Sequence, residues 1–378
     1  MKSKKKILLL GPAHPYRGGI ADTQNAFGKS LQENGHEVIL FTFTFQYPKF
    51  LFPGKTQLTS NPAPTKLNIQ RKIHSCNPFN WAKTARAINQ INPDVVFFRF
   101  WTPFLAPCWQ GIAKRLPNTI KTIALVDNWL PHERKPWDNL LNNYFGKKMD
   151  GFATLSGHVG EQISSVGFDK PVWFGFHPIA DDLLPAISKE EARDRLDWPQ
   201  GKKIVLFFGF IRKYKGLDLL IKAFSKPPLK DKNVLLAIVG ESYEDQEVYK
   251  NLISKLALND HTLTDFNFAD MEKVRNAICA ADVVAQTYRS ATQSGVTTLA
   301  YQYQTPILVS DIPGLKAPIL TDDSGSVSSI NSEDIASKIA ALIETDQLQH
   351  HINQIKKALP KYRWKTFSEN LMTFIETL

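Results

Sequence analysis

The sequence predicts an α/β protein with two tandem Rossmann-like, doubly wound domains facing each other across a cleft. Three observations lead there. A chain of 378 residues exceeds the size at which a single hydrophobic core stops growing. Apolar runs of strand length alternate with stretches of helical periodicity. The alternation breaks off in a Pro- and Gly-containing stretch, "FDKPVWFGFHPIADDLLP" (168–185), and restarts at "KKIVLFFGF" (202–210). The boundary therefore falls near residue 180. It gives an N-terminal domain of residues 1–179, joined by a C-terminal helix over 361–378 that packs back on it, and a second domain of residues 180–360.

The elements follow in order. "KILLLG" (6–11) reads as the first strand, and the Ala26, Phe27, Leu31 spacing after it as a helix stopped by Gly35. "HEVILFTF" (36–43), "DVVFFRF" (94–100), "TIALVD" (122–127) and "GFATLS" (151–156) read as further strands. In the second half "VLLAIVG" (234–240), "HTLTDF" (261–266), "DVVAQTY" (282–288) and "TPILVSD" (305–311) continue the series. Their near-continuous Val, Ile, Leu and Phe content means burial on both faces, hence parallel sheets covered by helices. The segment "PKYRWKTFSENLMTFIETL" (360–378) is amphipathic, with aromatic residues at its start.

Composition narrows the function. The net charge of +10 favours anionic partners. With Lys and Arg spread along the chain and no zinc spacing or RNA-binding aromatic motif, nucleic acid is not expected. Three widely spaced cysteines, Cys76, Cys108 and Cys279, read as reduced thiols of a cytoplasmic protein. The basic N-terminus carries an apolar run too short for a signal peptide. The stretch 95–109 is broken by Arg99, Pro103 and Pro107, a poor membrane span.

Five stretches carry candidate chemistry. In "GPAHPYRGGIADT" (11–23), Gly18 and Gly19 permit close backbone approach to a ligand at a helix N-terminus; an ordinary strand-to-helix turn would look the same, and no G-x-G-x-x-G is present. In "FFGFIRKYKGLDLLIKAF" (207–224), Arg212, Lys213 and Lys215 cluster between a strand and a helix, where they could grip a diphosphate or form a solvated basic turn. In 288–314, Gln293, Ser294, Gly295 and Val296 lead into a helix that offers N–H groups to an anion; a plain Ser or Thr N-cap is the alternative. Asp127, His132 and Glu133 follow a strand end, where His can orient or deprotonate a hydroxyl; an Asx-turn with a surface His–Glu pair is the alternative. Finally, 46–60 and 71–81 interleave aromatic and basic residues. They read either as loops dipping into an anionic membrane interface or as loops covering their own core.

Taken together these residues resemble the retaining glycosyltransferases of family 4 (group 1), of GT-B fold, in a divergent bacterial branch. "GGIADTQNAFGKSLQENGHEV", "FFGFIRKYKGLDLLIKAF", "LLAIVGES", "AADVVAQTYRS", "YQTPILVSDIPG" and "RWKTFSENLMTF" are similar to its successive segments. The resemblance implies transfer of a sugar from a nucleotide-diphosphate donor, the co-substrate, to a glycan or lipid-linked acceptor in cell-surface polysaccharide or glycolipid assembly. It implies no cofactor and no metal, with Arg212 and Lys215 holding the diphosphate, helped by Gly18, Gly19 and the amides near Gly295. Glu241, Phe266 and Asn267 would lie near the nucleoside, and Asp127 or His132 would be the catalytic group on the acceptor side. The chain departs from the family in two places. Ala291 and Leu299 stand where the family carries a Glu pair, with Gln293 taking part of that role, and Phe210 stands where an Arg is usual. The missing carboxylates keep open a non-catalytic sugar-nucleotide-binding subunit, and a sugar-nucleotide epimerase of the same fold is the other alternative. The expected location is the cytoplasm, peripheral on the inner face of the plasma membrane.

Overall fold

The computed structural model describes residues 4–48, 57–59, 62–64, 66–130, 135–230, 232–291 and 293–378. The chain forms two compact units, Met1–Asp181 together with Arg363–Leu378, and Asp182–Tyr362.

The first unit is built on strands β1 (Lys6–Leu10), β2 (Glu37–Phe45), β3 (Asn68–His74), β4 (Val95–Phe100), β5 (Lys121–Val126), β6 (Gly151–Thr154) and β7 (Val172–Phe174). They pair in parallel in the order β3-β2-β1-β4-β5-β6-β7. The order reverses between β1 and β4, so the chain ends there point at the crevice where ligands of such sheets bind. Side-chain alternation splits β1 between two cores. Leu8 and Leu10 join one with Phe98, Trp109 and Phe145; Ile7 and Leu9 join the other with Phe27 and Leu31.

That second core is closed by the helix Trp364–Ile375. Trp364, Phe367 and Leu371 are buried in it, the Phe367 ring meets Phe27 edge-on at 5.7 Å, and the Ser30 and Ser368 hydroxyls lie 2.7 Å apart. Tyr362, two residues before the helix start, belongs to the other unit and packs on Tyr301 at 4.9 Å.

The second unit carries β8 (Lys203–Phe208), β9 (Val234–Val239), β10 (Thr262–Asp265), β11 (Val283–Gln286), β12 (Ile307–Ser310) and β13 (Gly325–Ser328), parallel in the order β10-β9-β8-β11-β12-β13. Its reversal lies between β8 and β11. A buried ion cluster pins the entry helix Lys189–Arg195 to the sheet. Asp282 accepts from Arg193 at 2.8 Å, from Lys189 at 2.6 Å and from the Ile204 main-chain N–H at 2.8 Å.

Three strands escape a reading of hydrophobic pattern. The edge strand β3 is mostly polar, which suits an edge that must not recruit another chain. β7 has three residues inside the Pro-containing stretch 168–185, and β13 is "GSVS". The stretch 71–81, expected as a loop, is instead the end of β3 followed by the helix Pro78–Ile91, which Asn77 caps by accepting from the Phe79 N–H at 3.0 Å. Of the loop expected at 46–60, residues 49–56 and 60 lie outside the described residues.

Replacing Trp364 by Ala should cost the first unit about 3–5 kcal/mol, the usual loss for a buried aromatic. Urea unfolding followed by first-unit tryptophan fluorescence measures it.

Candidate functional site

In the second unit the chain leaves β8 at Gly209 and turns through Arg212 and the single 3-10 turn Lys213–Lys215. It then enters the helix Leu217–Phe224. Gly216 sits at φ +66°, and a Cβ there would lie 2.0 Å from the Thr287 carbonyl oxygen, so only glycine lets the turn lie this close to the end of β11. The turn is braced from that side. Arg289 donates to the Lys213 carbonyl at 2.8 Å and grips Asp218 with two bonds of 2.8 Å; the Thr287 hydroxyl donates to the Gly216 carbonyl at 3.0 Å.

This bracing buries Lys215. Its ammonium stands 5.3 Å from the centre of the Tyr288 ring. A side chain at Gly209 would meet it at 3.2 Å and Val296 at 3.7 Å, so Lys215 Nζ converges with the end of β8 and the first turn of the helix Gly295–Gln302. Among the described residues Lys215 has no ion-pair partner, and neither has Arg212, which lies over the Tyr243 ring at 4.7 Å. Burial, with Arg212 nearby, pushes the Lys215 pKa down to about 8. The arrangement is a desolvated cation, a second cation and the positive end of a helix beside one strand terminus, which suits a multiply charged anion.

The other expected donor residues differ in what they present. Ser294 caps the helix by accepting from Val296 N–H at 3.3 Å, and Gly295 faces open space. Gln293 buries its side-chain oxygen without a hydrogen-bond partner among the described residues. Glu241 follows Gly240 at the end of β9, and its carbonyl accepts from Ile211 at 2.9 Å. Phe266 is packed into the core with Leu236 and Tyr249. Asn267 is turned back onto Asp265, to which its side chain donates at 3.0 Å.

In the first unit Gly18, at φ +107°, caps the helix Gly19–Glu33, and both Gly18 and Gly19 face open space. The ends of β1, β4 and β5 hold a buried pair. Arg99 donates from Nε to Asp127 at 2.6 Å and from Nη2 at 2.5 Å, with Nη2 also reaching the Thr23 hydroxyl at 2.9 Å. Gly11 is tight against it, since a Cβ there would meet the Arg99 Cβ at 2.7 Å. Both carboxylate oxygens of Asp127 are thus held. His132 and Glu133 lie outside the described residues. His177 stands close enough for the Asp127 charge to raise its pKa, but burial wins and lowers it, so the ring favours the neutral form.

Arg99, Thr287 and Arg289 carry parts of this geometry that the motifs did not assign. The signal for Arg99 was a single cation inside the otherwise apolar "VVFFRF" (95–100), since such a cation must be paired to be buried.

Among the described residues one group brings three metal-capable side chains together: Asp323, His350 and His351, within 4.8 Å. It precedes β13 and so lies at the amino-terminal edge of the sheet, opposite the end where Lys215 sits.

Residues 188–358 match the family model for glycosyl transferases group 1. The matched stretch lies within the second unit. It contains the β8 turn, Lys215 and the Gly295 helix. Two D-inositol 3-phosphate glycosyltransferases are similar over part of the chain: one from Corynebacterium aurimucosum at 26% identity over 163 residues and one from Mycolicibacterium smegmatis at 29% over 162, each over 42% of this chain. The matched stretch spans 38% and 36% of those relatives. The fold of the whole chain is shared with solved GT-B structures. Sucrose-phosphate synthase from Thermosynechococcus elongatus superposes with a TM-score of 0.72 at 14% identity, covering 99% of both chains. Anabaena HepE in complex with UDP gives 0.71 at 16%, covering 99% of this chain and 100% of that one. In the matched stretch Ala291 precedes the Gly295 helix and Leu299 lies within it, and neither is an acid.

Two outcomes follow. The native Lys215 pKa lies below its unfolded value of about 10.4, so between pH 8 and pH 10 the unfolded chain binds more protons and stability rises with pH. The ligand-free melting temperature, compared with that of Lys215→Met, should therefore climb between pH 7.5 and 9.5. Arg99→Met, which leaves Asp127 buried and unpaired, should cost about 3–5 kcal/mol in urea unfolding, while adding Asp127→Leu should recover most of the loss.

Proposed function

We propose that the chain is a retaining, metal-independent glycosyltransferase that moves a sugar from a nucleotide-diphosphate donor to a glycan or lipid-linked acceptor in cell-surface polysaccharide or glycolipid assembly. The single observation behind this reading is Lys215: a buried ammonium with no counter-charge among the described residues, inside the stretch that matches the group 1 family model. A diphosphate leaving group supplies the missing charge. Lys215 and Arg212 stabilise it as it departs, and the Gly295 N–H adds a hydrogen bond. Cationic side chains and a helix terminus then do the neutralisation that other transferases give to a metal.

Similar architecture is seen in Anabaena HepE crystallised with UDP and with UDP-glucose, which supports a uridine diphosphate sugar as the first donor to test. On the acceptor side we infer that the carboxylate of Asp127, fixed by Arg99, orients a hydroxyl rather than removing its proton, because both of its oxygens already accept from Arg99. His132 remains the candidate for any proton transfer there. We place the protein in the cytoplasm, peripheral on the inner face of the plasma membrane. No described helix is long and apolar enough to cross a membrane.

The absence of carboxylates at Ala291 and Leu299 favours one second reading, a non-catalytic sugar-nucleotide-binding partner. Hydrolysis or transfer of a sugar nucleotide by the purified chain alone rules it out.

Arg212→Ala and Lys215→Ala should each weaken nucleoside diphosphate binding about 10- to 100-fold, since each removes a charge-assisted contact worth roughly 1.5–3 kcal/mol. Calorimetry with UDP, GDP and ADP measures this. Unchanged affinity in both variants for every nucleotide that binds the wild type would show that the diphosphate lies elsewhere.

A further inference from the structure

The Lys and Arg residues are spread along the chain, but the acids that would balance them are not. Between Val38 and Val126 there are eleven Lys and Arg residues and a single acid, Asp94, a net of +10 that equals the net charge of the whole chain. From Val38 to Pro93 there is no acid at all. Asp94 itself is occupied, accepting the Lys6 main-chain N–H at 2.6 Å. The first unit therefore carries a charge excess equal to that of the whole protein on one continuous stretch that is less than half of its chain.

Part of this segment forms a surface. The helices Pro78–Ile91, Ala106–Ala113 and Asp138–Gly146 pack side by side in chain order over one face of the first sheet. Along the outer side of the first, Phe79, Lys83 and Arg86 fall at i, i+4 and i+7, one stripe. All three are exposed, and the Phe79 side chain is 89% exposed. Lys83 and Arg86 enter no ion pair among the described residues. On the third helix Trp137, Leu140 and Tyr144 make a second stripe at i, i+3 and i+7, with Leu140 71% exposed, and Lys147 extends it at i+10. Large apolar side chains held outward in two parallel stripes, with unpaired cations beside them, do not serve the core beneath. Edge protection explains Lys72 on β3, but not a solvent-exposed phenylalanine.

We propose that the outer side of this three-helix layer is the docking face for an anionic lipid bilayer. The cations would meet the headgroups, and Phe79, Leu140 and Trp137 would enter the interface, the arrangement of a surface-lying amphipathic element. A nucleic acid or soluble polyanion would use the cations without needing aliphatic Leu140. The proposal deepens the membrane location given under Proposed function, and it does not depend on the donor chemistry of the second unit.

The test is co-sedimentation of the full chain with vesicles of phosphatidylcholine alone and with 30% phosphatidylglycerol. Duplex DNA and polyphosphate serve as soluble controls, and UDP affinity is measured in parallel. Binding should require the anionic lipid and weaken steeply with salt. Lys83→Glu, Arg86→Glu and Lys147→Glu together should weaken it at least about a hundredfold, given the usual contribution of each cation near such a surface. Phe79→Ser with Leu140→Ser should weaken vesicle binding at least about tenfold while leaving UDP affinity unchanged. Equal binding to uncharged vesicles, or polyphosphate or DNA binding as tight as vesicle binding and indifferent to Phe79 and Leu140, overturns the proposal. So does undiminished vesicle binding by either variant. Loss of UDP affinity through Lys215 would leave vesicle binding intact and would bear only on the donor site.

Discussion

The constraint that organises the second unit is the desolvation of one ammonium group. Taking a cation out of water costs free energy unless a counter-charge comes with it. Lys215 is surrounded by Tyr288, Gly209 and Val296, with no carboxylate among the described residues. Asp218, in the first turn of the helix that follows, is held by Arg289 and Lys222 instead. The unit therefore keeps an electrostatic debt in its ligand-free state, concentrated at the end of β8 where the sheet order reverses. Other local features follow from the need to keep that group in place: glycine at 216, the Arg289 brace and the close approach of β8 to the Gly295 helix.

The first unit resolves the same problem in the opposite way. Arg99 is also removed from water, but Asp127 meets it with two hydrogen bonds. Charge is cancelled inside the first unit's strand ends and left uncancelled inside the second's. An anionic ligand gains from the second arrangement and little from the first, whereas a neutral hydroxylated ligand can use the fixed oxygens and N–H groups of the first. This contrast supports assigning the anionic donor to one unit and the acceptor to the other.

Much of the fold was legible because parallel strands buried on both faces have little choice of composition. The runs "KILLLG", "VVFF" and "IVLFF" admit few other readings. The strands that were missed are those for which burial does not dictate composition: β3 and β13 at sheet edges, and β7 with three residues. The cationic turn was legible because its charged residues follow closely on the apolar run of β8. What sequence spacing did not reveal is how the site is held. Arg289 lies 71 positions from Asp218 and Arg99 lies 28 from Asp127, and such partners are joined only by the topology. The Phe266 ring, at the strand end before Asn267, belongs to the core. An aromatic residue at a strand end faces inward or outward according to register, which the local sequence does not set.

The helix Trp364–Ile375 has a consequence for biogenesis. It caps a core made by Ile7, Leu9 and Phe27, residues translated hundreds of codons earlier. During synthesis the first unit leaves the ribosome with that apolar surface bare, and the second unit can fold in full before the cap is made. The nascent amino-terminal half therefore keeps that surface exposed for the whole time that the second unit is translated.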